Sequence, residues 1–342
     1  MTLNSALSAL LNLLILITIL RFKALRNSKE YIIILFLSIA DFVNGLGGAL
    51  GHGWRAYLVF VGRMCACAST IKCMLFPYNS MWRWCDFAQT GMLLAISCDR
   101  LLAIANPAYY FGCTSRYAWK LGLSVFLYAT INLCLGWIYP ILHGDVEVSL
   151  VCLPEQFIGK LYYQYCKYIS SSQSALSVLV YVFVWVLYKR AINQRIREAD
   201  QEDPQVTRQR KRQRKLTITL GISSLCTFLL DVLPRALGIY WAYNPIDFSL
   251  GPLSLTDILF QLDKWNANAN FIIYTVRHKE IRKGLKALVY KADMPPSLHL
   301  WETANVSSRR EKSNSQASEM ANVGMKARNT RRITVAAVIE VS

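Results

Sequence analysis

The apolar residues of this chain are gathered into seven blocks, at roughly 3–20, 31–57, 74–105, 118–142, 170–188, 216–241 and 253–276. A helix needs about 20 predominantly apolar residues to cross about 30 Å of hydrocarbon, and most of the blocks reach that length. One water-soluble core can bury a few such segments, but not seven. The expected fold is therefore an all-α membrane protein, a bundle of seven transmembrane helices. Composition agrees: 54% of the 342 residues are hydrophobic and 17% are charged, against about 45–50% and about 25% in soluble domains. The first block has no basic residue before it and no cleavage site after it, so it is expected to act as its own insertion signal. It also carries Asn4, Ser5, Ser8 and Asn12. In the third block Arg83, Asp86 and Gln89 interrupt the apolar run. Arg83 and Asp86 lie three apart and can pair on one helix face. A charge facing lipid is costly, so that helix is expected to face the bundle interior.

The net charge of +17 is unevenly placed. With the N-terminus outside, the inner segments are 21–30, 99–120, 189–215 and 277–342, and these hold 30 of the 38 Lys and Arg residues. That is the positive-inside pattern. It makes the basic balance a membrane-topology signal rather than a nucleic-acid footprint. The opposite orientation places the run Arg208 to Lys215 outside, against the rule. Residues 198–215 have no apolar run and read as a polar loop that carries the fifth and sixth helices into the cytosol. Beyond residue 290 the chain turns rich in Ser, Asn and Arg, so 1–290 is expected to form the bundle with a surface helix, and 291–342 a disordered cytoplasmic tail. There is no internal repeat of the kind that builds many transporters. No catalytic cluster, no phosphate-cradling glycine loop and no CxxC are present, so neither an enzyme nor a metal site is expected.

Four short motifs fall in order on these blocks. The third closes with Cys98-Asp99-Arg100-Leu101, followed by Ile104-Ala-Asn-Pro107-Ala-Tyr-Tyr110. The second contains Leu37-Ser-Ile-Ala-Asp41. The sixth carries Phe228-Leu-Leu-Asp231-Val232-Leu-Pro234, and the seventh ends Asn270-Phe-Ile-Ile-Tyr274. Each motif is weak alone; four at matching spacings are specific. Together they resemble the rhodopsin-like G-protein-coupled receptors, over about residues 3–290. The ending Asn270 to Gly284, with Phe271 in place of the family's proline, looks like the nematode serpentine receptors of class sx, which are chemosensory.

The resemblance implies roles. Arg100 is held by Asp99 at rest and released toward a heterotrimeric G protein, with Asn270, Tyr274, Phe228 and Pro234 taking part in activation. A proline removes a backbone hydrogen bond and kinks the helix, which gives a pivot. The family's switch Trp is Val232 here and its Cys is Asp231, which departs from the usual toggle. Asp41 matches a core acid that binds sodium or water in the family, and Asn12 the first-helix Asn that contacts it. A disulfide is implied from the top of the third helix to the second outer loop; Cys73 with Cys152 fits best, with Cys65 paired to Cys67 or Cys166 as rivals. Lys264 lies six residues before Asn270 and ten before Tyr274, the spacing of the retinal lysine in opsins. It can instead pair with Asp86 or with an acidic ligand.

The ligand is expected inside the bundle, because the chain as given begins at its first helix. Trp82 occupies the place where aminergic receptors carry an Asp, which disfavours amines. Tyr78, Trp82, Asp86, Val232 and Lys264 are the pocket candidates. Trp84, Tyr168, Tyr240 and Trp241 either join them or form an interfacial belt. Ile281, Leu285, Leu288 and Val289, with Arg282, Lys283 and Lys286 between them, read as an amphipathic helix on an anionic inner leaflet. The expectation is thus a plasma-membrane chemoreceptor with its N-terminus extracellular and its C-terminus cytoplasmic. It needs no cofactor and no nucleic acid, and its partners are the bilayer, a G protein and a small-molecule or peptide ligand. An opsin-like photoreceptor binding retinal at Lys264, and a neuropeptide receptor, are the alternatives. Acidic Asp145, Glu147 and Glu155 in the second outer loop suit basic peptides.

Overall fold

The computed structural model describes residues 1–196, 221–222, 225–243, 249–250 and 253–290. The polar loop 198–215, the start of the sixth block, the side chain of Trp241 and the tail 291–342 lie outside the described residues. Met1–Leu288 forms one compact unit, and Val289–Ser342 another, of which only Val289 and Tyr290 are described.

Long helices dominate. They are α1 (Thr2–Arg21), α3 (Lys29–Phe60), α5 (Pro77–Ala105), α7 (Ser115–Leu142), α9 (Lys160–Ile196), α10 (Leu233–Tyr243) and α11 (Leu255–Arg277). Short helices turn the chain between them: α2 (Lys23–Arg26), α4 (Thr70–Leu75), α6 (Pro107–Gly112) and α8 (Pro154–Phe157), with α12 (Lys279–Val289) last. Among the described residues, α1, α3, α5, α7 and α9 are long and apolar enough to cross a membrane. Several boundaries differ from expectation, two of them for a clear reason. The third span starts at Pro77 rather than 74, because Phe76 is extended and Pro77 takes the first helical position, where its missing N–H costs nothing. The fifth begins ten residues early, at Lys160, since its polar first turns form a helical extension beyond the apolar run.

Two helices, α7 and α11, turn large apolar side chains outward and bury small or polar ones. Leu123, Leu127, Ile131, Leu135 and Ile138 form one exposed stripe on α7, whereas its buried face is Ala118, Gly122, Ala129, Asn132, Gly136 and Pro140. α11 repeats the pattern: Trp265, Ile272 and Val276 are exposed, and Lys264, Asn266, Asn268 and Asn270 are buried. Lipid solvates the large apolar side chains, so small and polar residues are left to make the helix contacts. α1 and α3 approach backbone to backbone. A Cβ added at Gly45 meets the Ala9 backbone nitrogen at 2.6 Å and the Ser5 carbonyl oxygen at 2.9 Å.

At the end of the bundle that holds Cys73, two short strands pair antiparallel, β1 (Cys67–Ser69) with β2 (Glu147–Ser149), in the register Cys67–Ser149, Ala68–Val148, Ser69–Glu147. A second ribbon joins β3 (Ser249–Leu250) to β4 (Leu253–Ser254). These are additions to the all-α expectation. They satisfy loop peptide groups that no helix serves. The other end carries Arg100 and the turns around Lys23, Arg26 and Lys29.

Candidate functional site

At the Arg100 end, α5 delivers Asp99 and Arg100, both buried. Arg100 Nη2 donates to Asp99 Oδ2 in a close ion pair and to the Tyr110 hydroxyl at 2.8 Å. That hydroxyl donates in turn to Asp99 Oδ2 at 3.3 Å. Tyr110 reaches the pair because Asn106 caps α6: its side chain accepts from the Tyr109 N–H at 3.2 Å, with Pro107 first in the helix, the arrangement that starts a short helix well. Lys29 fixes the far side of the same residue. Its Nζ donates to the Tyr110 carbonyl at 2.5 Å and to the Cys113 carbonyl at 3.3 Å, and it lies 3.6 Å from the centre of the Tyr110 ring. Burial pushes the Tyr110 phenol well above its usual range, against the opposing pull of Arg100, so the hydroxyl keeps its proton for Asp99. Arg100 is therefore restrained by its own neighbour and by the loop after α5.

Asn270 and Tyr274 are buried on α11. Tyr274 packs against His278, which meets Tyr31 edge-on at 5.8 Å. The Tyr31 hydroxyl donates to Glu280 Oε2 at 3.0 Å. The last turn of α11 and the start of α12 are thereby tied to the start of α3. On α12, Ile281, Gly284 and Ala287 face the bundle, and Arg282 and Lys283 face away. Leu285 is only half-buried and Val289 is exposed.

In the core, Asp41, Asn44 and Lys264 are buried and Gln89 partly so. Gln89 Nε2 donates to Asp41 Oδ1 at 2.5 Å, Asn44 Nδ2 to Gln89 Oε1 at 2.7 Å, and Lys264 Nζ closely to Asn44 Oδ1. Asn12 is buried, but its amide donates to the Ser8 carbonyl at 3.0 Å, a helix back-bond in place of the expected contact with Asp41. Lys264 does not pair with Asp86 either. Asp86 is held at 3.0 Å by Arg83, one turn away on its own helix.

The sixth helix bends through a π-helical turn, Phe228–Val232, ahead of α10. The Leu233 N–H bonds to the Phe228 carbonyl, five residues back, which relieves the clash that Pro234 imposes on the carbonyl four residues before it. The extra residue rotates the preceding face. Phe228, expected in the activation core, is 41% exposed, and Asp231 points inward at 2%. Ser174 Oγ donates to Asp231 Oδ2 at 2.6 Å, Arg235 pairs closely with Asp231, and Arg235 Nη1 donates to Ser170 Oγ at 3.3 Å. This clasp joins α9 to the kink. Val232 is half-buried.

At the opposite end Cys73 and Cys152 form a disulfide with Cα atoms 5.4 Å apart, while Cys65 and Cys67 are free and exposed and Cys166 free and buried. Tyr78 and Trp82 are buried against α3, in edge-on contact with each other at 5.7 Å and Trp82 with His52 at 5.8 Å. They fill the α3–α5 seam near Gly51 rather than lining open space. Trp84 turns to α7 and donates to Thr130 at 3.1 Å. Tyr168 and Tyr240 are exposed. A cleft of about 540 Å³ lies between α8, α9 and α10, bordered by Glu155, Lys160, Tyr163, Lys167, Tyr168 and Ile239.

Sequence reasoning passed over Lys29, Asn44, Ser174 and Arg235. Each is an ordinary residue whose partner lies on another helix, so no local pattern marks it. Tyr110 lies at the end of the Ile104–Tyr110 motif, whose spacing assigns it no role, and Gln89 reads from the sequence only as a polar break in an apolar run. Comparison with known families finds that the model described as 7 transmembrane receptor (rhodopsin family) matches residues 11–274. Comparison with curated proteins gives no match.

Proposed function

The chain belongs to the rhodopsin family of seven-transmembrane receptors, and we propose that it is a chemosensory receptor, of the nematode serpentine sx kind, that couples an external small ligand to a heterotrimeric G protein. The observation that carries this reading is the restrained Arg100, buried with Asp99 and Tyr110 at the end of α5. Arginine keeps its charge at any physiological pH, so its exposure is governed by whether those partners let go. The described segments at the same end carry Lys23, Arg26, Lys29, Arg116 and Lys120, which with the charge pattern of the sequence argues for a cytosolic location in the plasma membrane and an extracellular N-terminus.

The mechanism follows from the kink. Ligand binding between the third, fifth, sixth and seventh helices favours a state in which the sixth helix pivots about the π turn and Pro234. The ligand need only shift an existing equilibrium. Movement there loosens the Asp231 clasp on α9 and opens the Arg100 end to the G protein. The reading includes no prosthetic group.

The test is a calcium and cAMP screen of expressing cells against odorants and peptides, with Arg100→Ala as the control. Loss of every ligand response in Arg100→Ala at equal surface expression is the expected result. Responses of unchanged size in that variant would remove the coupling role.

A further inference from the structure

One face of α9 runs from the cleft to the kink of the sixth helix. Lys160, Tyr163, Lys167, Ser170 and Ser174 follow one another at steps of three or four residues, the spacing that puts side chains on one side of a helix. Asp231, Arg235 and Ile239 follow at steps of four on the facing segment. Ser174 and Ser170 bond to Asp231 and Arg235 in the clasp, and Lys160, Tyr163 and Lys167 stand with Ile239 around the cleft of about 540 Å³. Cleft and clasp are therefore neighbouring parts of one seam, about one helical turn apart. The cleft belongs to the disulfide end, since Glu155 on its rim follows closely after Cys152.

The described rim sets Lys160 and Lys167 against Glu155. Among the described residues neither lysine is ion-paired. Lys167 is half-buried, with its ammonium 5.6 Å from the centre of the Tyr163 ring, a placement that favours a cation over an aromatic face. The next charges cancel in pairs. Arg83 is joined to Asp86, both within electrostatic reach of Tyr163, and Arg235 to Asp231. The described cleft is thus left with an excess of positive charge beside the apolar surfaces of Tyr163 and Ile239. Its volume lies in the range of about 300–1,000 Å³ typical of small-molecule sites. An ammonium only donates, and a carboxylate only accepts, so the two form the stronger, charge-assisted kind of hydrogen bond. A cationic ligand meets the wrong sign here, and a neutral one forgoes that bond.

We propose that this cleft binds a small organic carboxylate, its charge at Lys160 and Lys167 and its apolar body against Tyr163 and Ile239. The inference rests on the receptor reading above only in making that carboxylate the external signal, which reaches the kink through the adjoining clasp. Purified full-length receptor in detergent is melted with hexanoate and phenylacetate, with their neutral amides, and with hexylamine and phenethylamine. A ligand that binds the folded state raises the melting midpoint. A rise with the carboxylates, and none with the amides or amines, is expected. In the Lys160→Gln/Lys167→Gln double variant the concentration needed for that rise is expected to increase about tenfold or more. The Lys160→Glu/Lys167→Glu variant reverses the charge and is expected to turn the preference to the amines, a gain that a misfolded protein does not show. No rise with either carboxylate, an equal rise with their amides, or a carboxylate preference that survives charge reversal would overturn the proposal. Because melting is read without a G protein, failure here leaves the coupling role of Arg100 to its own screen, and Arg100→Ala is expected to keep the carboxylate-dependent rise.

Discussion

At the scale of single residues, the Arg100 site shows how much a loop tyrosine contributes. Tyr110 is 2% exposed, and its hydroxyl hydrogen-bonds to both members of the Asp99–Arg100 pair. A hydrogen bond to a charged group is worth about 1.5–3 kcal/mol, and about 1.4 kcal/mol changes an equilibrium tenfold. Tyr110→Phe keeps the ring packed against Lys29 and removes only the hydroxyl. Basal G-protein signalling measured without ligand is expected to rise about tenfold or more at matched surface expression, if the resting population dominates. Unaltered basal signal would assign Tyr110 to packing alone. The residue was visible in the sequence as part of a motif. Its hydrogen bonds were not, because they depend on where the turn after α5 folds back.

Among elements, α1 and α3 cross with backbone against backbone. Gly45 meets the backbone of α1, not a flexible side chain, so neither helix can yield locally. Overpacking of a close contact costs about 1–3 kcal/mol. Gly45→Ala is expected to lower the melting midpoint of purified receptor clearly, whereas Gly53→Ala on the same helix, where an added Cβ meets nothing within 4 Å, is not. Equal melting of the two variants would show that the helices slide apart freely. The existence of both helices followed from hydropathy. Which glycine marks their crossing did not, since α3 has five glycines between Gly45 and Gly53 and periodicity does not distinguish among them. The π turn before Pro234 was likewise beyond reach: the proline announced a kink, but the form of the kink rotated Phe228 outward and Asp231 inward.

For the whole molecule, the disulfide joins positions 79 residues apart, across α5, α7 and the turns between them. Loop closure of that length removes about 4.5 kcal/mol of unfolded-chain entropy in the simple polymer picture. Cys73→Ser and Cys152→Ser are each expected to lower thermal stability by similar amounts, and the double variant by no more than either, because the pair acts as a unit. Additive losses in the double variant would show that each cysteine contributes separately.

The sequence by itself determined that the chain crosses a bilayer in long helices, and which end gathers the positive charge. Both are one-dimensional properties: apolar length against membrane thickness, and the count of Lys and Arg in each connecting segment. It also placed Asp41, Asp99, Arg100 and Pro234 on the elements where they stand, since motif spacing along a helix is fixed by its pitch. Only the tertiary structure decided their partners. Lys264 goes to Asn44 and not to Asp86, Asn12 to Ser8 and not to Asp41, and Asp231 to Ser174 and Arg235. A buried polar group takes whatever complementary atom the packing of neighbouring helices brings within about 3 Å, and that choice is made in three dimensions.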